Sequence, residues 1–117
     1  MWYLILALAF GSPCDIPAVT EPTAAFESFF QEEWVPAGVA VLGTSLNDGI
    51  LTVDVSEEIL NYGGNAFEAE LVAELAAIAA TVPGAEHFSL TIEGQRSPLA
   101  EGYIIEGMSL QQVRNTN

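Results

Sequence analysis

The stretch from Ile50 to Gly94 constrains the fold more than any other part of the chain, because its apolar spacing changes period twice. Between Ile50 and Val55 the period is two: Leu51, Val53 and Val55 point one way, and Ile50, Thr52 and Asp54 the other, as in a strand with one buried face. From Phe67 the period becomes helical, with Phe67, Leu71, Leu75, Ile78 and Val82 on one bulky stripe. From His87 it returns to two, with Phe88, Leu90 and Ile92 alternating with His87, Ser89, Thr91 and Glu93. The punctuation agrees. Asn47-Asp48-Gly49 tolerates the positive φ of a tight hairpin. Ser56-Glu57-Glu58 reads as the capped start of one helical turn carrying Ile59 and Leu60. Gly63-Gly64 breaks the chain, Asn65 with Glu68 reads as a capping box, Pro83-Gly84 ends the helix, and Gly94 turns the last strand.

The flanks extend this pattern. Thr20 can cap a helix whose first turn holds Glu21 and Pro22, with apolar residues at Ala25, Phe26, Phe29 and Phe30 and a stop before Pro36. Val39 to Leu42 leads into a short strand, and Tyr103, Ile104 and Ile105 form a last one. The expected fold is α+β: a small three- or four-stranded sheet with two helices packed on one face, spanning 15–112, with a frayed end at 113–117. Residues 1–14 stand apart. Met1 to Phe10 is a continuous apolar run, shorter than the ~20 residues a membrane-spanning helix needs. It reads either as a buried strand or as a truncated signal segment lacking its basic start. Cys14, the single cysteine, has no partner for an intrachain disulfide; it invites a lipidation reading, to which Pro13 before it fits poorly.

Charge narrows the function. The 117 residues include 16 acidic side chains, two arginines, one histidine and no lysine, a net charge of −14. Nucleic acid and anionic lipid both need Lys and Arg against phosphate, so neither is expected as a partner. The acidity serves solubility or salt tolerance, or draws in basic partners and, weakly and unspecifically, cations.

Catalysis finds little support. His87 is the single candidate base, and alternation puts it on the strand face opposite Phe88, as a surface histidine or a partner contact. Glu86, His87 and Glu93 are too few for a metal centre, and one cysteine excludes a thiolate zinc cluster. Asn61 to Asn65 lacks a nearby Lys or Arg for an anion, and Glu57-Glu58 suits a helix dipole better than acid–base work. No catalytic, cofactor or metal residue is expected. Opposite the bulky stripe, Ala69, Ala73, Ala76 and Ala80 share a helix face where another backbone can approach closely, although alanine is also simply the best helix former. These alanines and His87 are the candidate partner surface.

The order of elements resembles the GerMN domain of sporulation and spore-germination proteins and of some envelope lipoproteins. The resemblance rests on GILTVDVSEEIL (Gly49 to Leu60), with its Val-Asp-hydrophobic-Ser strand end at Val53 to Ser56, on the glycine pair, on TVPGAEHFSLTIEGQ (Thr81 to Gln95) closing at Glu93-Gly94, and on GMSL (Gly107 to Leu110). Upstream, DIPAVTEPTAAFESFF is similar to the segment running from the family's first strand into its first helix, a register in which Met1 to Phe10 is that strand. The resemblance implies a ring-building-motif-like fold and a non-enzymatic, extracytoplasmic module of the cell envelope that assembles with a protein partner or with itself. The alternative reading is an acidic binding module for a soluble ligand or cation.

Overall fold

The computed structural model describes residues 22–115, so the expectations for Met1 to Phe10, Cys14, Thr20 and Glu21 lie outside the described residues. The elements run α1 (Pro22–Phe29), β1 (Val41–Asn47), β2 (Ile50–Val55), a 3-10 turn (Glu57–Leu60), α2 (Asn65–Ala79), β3 (His87–Ile92), β4 (Met108–Ser109) and α3 (Gln111–Asn115). The strands form one mixed sheet in the order β1-β2-β3-β4, with β2 and β3 parallel and the outer pairs antiparallel. The fold is α+β, as the alternating periods require.

The hairpin turns where the sequence says it should. Asp48 and Gly49 both have positive φ, at 53° and 80°, the backbone twist that matches two strands joined by two residues. The Gly49 carbonyl then accepts the N–H groups of Glu86 (2.7 Å) and His87 (3.0 Å), which ties the turn to the start of β3. The parallel β2–β3 pair needs a crossover, and α2 supplies it.

One sheet face is buried. Leu51, Val53 and Val55 of β2 meet Phe88, Leu90 and Ile92 of β3, and the α2 residues Leu71 and Leu75 cover them. From α1, Phe26 stacks on Phe88 with ring centroids 5.9 Å apart. Burying such side chains stabilises by about 1.5–3 kcal/mol each. The opposite face, with Thr52, Asp54, Ser89 and Thr91, is half-exposed and polar.

Several local expectations differ from the structure. The buried face of α2 is rotated toward Leu71, Val72, Leu75, Ala76 and Ala79, while Phe67 and Ile78 are only half-buried. No strand forms at Tyr103 to Ile105; the strand there is Met108–Ser109, although Ile105 still accepts the Leu90 N–H at 3.0 Å. Residues 113–115, expected to fray, belong to α3, making three α-helices among the described residues. Ser56 does not cap the turn after it with its side chain. Its Oγ accepts the Ala40 N–H at 2.9 Å, and its own N–H donates to the Ala40 carbonyl at 2.9 Å, so it locks the base of β1 to the end of β2.

Candidate functional site

The polar residues that the fold concentrates lie at the start of α2. The N-cap is Gly64 rather than Asn65, and no side chain caps the helix from its own end. Glu68 therefore stands one residue too deep for a capping box. It is 5% exposed and faces the loop that follows β3. Its Oε1 accepts the Tyr62 hydroxyl at 2.5 Å and the Glu101 N–H at 2.8 Å, and its Oε2 accepts the Tyr103 N–H at 3.0 Å. Glu101 answers in the other direction, its Oε2 accepting the Gly64 N–H at 2.8 Å, one of the free donors of the helix start. Two glutamates thus stitch α2 and the 99–103 loop together.

The electrostatics follow from the contacts. Burial works to raise the Glu68 carboxyl, but the hydrogen bonds from Tyr62, Glu101 and Tyr103 outweigh it and hold it below the ordinary glutamate value. Burial, aided by the Glu68 carboxylate beside it, pushes the Tyr62 phenol well up, so it stays a neutral donor. Aromatic packing continues outward: Tyr62 lies 4.9 Å from Phe67, Phe67 5.7 Å from Trp34, and Trp34 5.6 Å from Phe29.

This stitching frames an open groove of about 580 Å³ between α2 and the loop, floored by Ala69, Val72, Ala73 and Tyr103 with Glu68, Glu101 and Asn65 at one end. Of the alanines singled out from the sequence, Ala69 and Ala73 are exposed in this groove, Ala80 is half-buried, and Ala76 is 3% exposed and belongs to the core. His87 is exposed on the strand face opposite Phe88, beside a separate hollow lined by Glu86, Ser109 and the α3 residue Arg114, so the structure does not bring it together with the alanines. Glu68 was the residue sequence reasoning misplaced. The signal was available: it shares a helix face with Leu71, Val72 and Leu75, where an acid must find partners.

Nothing in this groove resembles a catalytic set. It holds two carboxylates, one of them saturated with donors, and no nucleophile–base pair. Among the described residues no three His, Cys, Asp or Glu side chains gather as metal ligands.

The strand end Val53 to Ser56 explains the motif that carries the family resemblance. Val53 and Val55 enter the core. Asp54 Oδ1 accepts the Thr91 hydroxyl at 2.7 Å and the Gly94 N–H at 2.8 Å, so it holds the turn at Glu93-Gly94, and Ser56 holds Ala40. The family model named Germane, sporulation and spore germination, matches residues 14–98. The chain belongs to the Germane family. Solved structures agree on the fold. The first GerMN domain of the sporulation protein GerM from Bacillus subtilis aligns with a TM-score of 0.56 and 22% identity, over 64% of this chain and 58% of that one. The tandem GerMN domains of the same protein align at 0.57 and 21%, over 67% and 28%. A protein of Clostridium perfringens described as a lipoprotein aligns at 0.69 and 13%, over 82% and 71%. This Germane chain thus spans little more than half of the first of these structures. No curated protein matches it.

Proposed function

We propose that this Germane-family chain is a non-enzymatic assembly or scaffolding module of the bacterial cell envelope, and that the groove on α2 is a partner-binding surface. The observation that carries the reading is the groove itself: apolar-floored, open, and framed by a loop that Glu68 ties in place. A pre-set surface with small residues suits a protein partner, because little ordering is left to do on binding. Ala69 and Ala73 let a partner backbone come close. The envelope location is supported by the GerM and Clostridium relatives, and no described helix is long and apolar enough to cross a membrane.

The test is a photo-reactive amino acid in place of Ala73, introduced into the full chain in its own host, with Gln95 substituted as a comparison site. A discrete adduct with another envelope protein at position 73, lost on Ala69→Glu, is the expected result. An absence of adducts at 73 together with a cytosolic fractionation would overturn the reading.

A further inference from the structure

The outer edge of β1 has no strand beside it among the described residues, since β1 pairs only with β2. Such an edge presents a row of outward N–H and C=O groups, and proteins ordinarily guard it with charge or proline. This one carries neither: Val41–Asn47 reads VLGTSLN, and the whole stretch from Trp34 to Asn47 is free of charged residues in a chain of net charge −14. Of the six exposed large apolar side chains among the described residues, three are on this hairpin: Leu42 (50% exposed), Leu46 (42%) and Ile50 (40%). Beside Gly43 there is open space within 4 Å of where a Cβ would stand, room for a second backbone.

We propose that this edge pairs with the same edge of a second copy of the chain, antiparallel about a two-fold axis. The inference rests on the assembly reading above and adds a surface to it. A second copy is the occupant that the charge pattern singles out. Two chains each at −14 repel almost everywhere, and this uncharged segment is where they can meet without opposing carboxylates. The regular part, Gly43 to Asn47, pairs with β2 without interruption, whereas the ladder shifts between Val41 and Gly43, so contact centres on Gly43 to Asn47. Glu27 near one end of the strand and Asp48 at the other set the cost of approach. Repulsion of that kind is screened by salt, whose Debye length is ~8 Å at physiological ionic strength.

The test is sedimentation velocity of the full chain across concentration, at low and at high sodium chloride. A monomer–dimer equilibrium that tightens with salt is expected. Leu46→Glu and Leu42→Glu, both at exposed positions, should weaken it about tenfold or more by setting carboxylates into the paired edge. Gln95→Glu adds the same charge at an exposed site off this edge and should change it little. A monomer at every concentration and salt overturns the inference, as does a dimer that survives both leucine substitutions or one that tightens as salt is removed. None of these outcomes bears on the α2 groove, which the cross-linking at Ala73 tests separately.

Discussion

Glu68 Oε2 accepts the backbone N–H of Tyr103 at 3.0 Å, joining α2 to a loop 35 residues further along the chain. With the Tyr62 hydroxyl and the Glu101 N–H on the other oxygen, one carboxylate satisfies three donors from two segments. The groove takes its shape from this arrangement, since Tyr103 and Glu101 form its loop side.

Removing the acceptor should therefore cost more than removing one donor. Glu68→Ala leaves two backbone N–H groups and a phenol without their partner, and is expected to destabilise the fold by about 2–4 kcal/mol. Tyr62→Phe should cost about 1 kcal/mol. Urea denaturation checks both, and the double variant should lose less than the sum, because the two groups share one bond.

The same carboxylate predicts an acid limb. The Glu68 pKa is lower in the folded chain than in the unfolded one, so the unfolded state binds its proton first as pH falls. Its stabilisation is whole above the ordinary glutamate value, about 4.3, and is lost as pH falls through the lower folded value. Thermal melts between neutral and acid pH should fall more steeply for the parent chain than for Glu68→Gln in that window. A parallel pair of curves would refute this. Tyr62 acts at the other end: its phenol is raised on folding, so its contribution is whole below about pH 10 and is lost as pH rises beyond that.

Gly49 holds a φ of 80° in the hairpin, and a Cβ there would lie 3.4 Å from Glu86 Oε1. Gly49→Ala should destabilise by about 1–2 kcal/mol through the left-handed backbone alone. Asp48, at φ 53°, should gain stability on replacement by glycine or asparagine. Chemical denaturation of the three variants reads both signs.

Arg114 donates from Nε to the Ala80 carbonyl at 3.0 Å and from Nη2 to the Ala85 carbonyl at 2.7 Å, covering the C-terminal end of α2. A guanidinium at that end also complements the helix dipole. Arg114→Ala should cost about 1 kcal/mol or more, and amide exchange in Val82 to Ala85 should speed up. By contrast the exposed Arg96–Glu106 pair, 2.7 Å apart, should give almost nothing when broken.

The alternation at Leu51, Val53, Val55 and at Phe88, Leu90, Ile92 was legible in the sequence because a strand's two faces differ in burial here, and the helix between was legible because one side of it meets the sheet. Asp48-Gly49 marked the hairpin by its backbone chemistry alone. Where periodicity is short or mixed it misled. Tyr103 to Ile105 is apolar enough for a strand, yet two of its three side chains are exposed and the pairing falls at Met108–Ser109. Ala76 reads as an outer-face residue by helical spacing, and instead it is buried.

Local residue chemistry, by itself, determined the order of elements from α1 to β3, the hairpin turn and the buried faces of the central strands, since each depends on neighbours within a few positions. The tertiary structure alone decided the role of Glu68. Its partners at Glu101 and Tyr103 are brought to it by the path of the chain after β3, and a carboxylate near a helix start looks the same in sequence whether it caps its own helix or holds a distant loop.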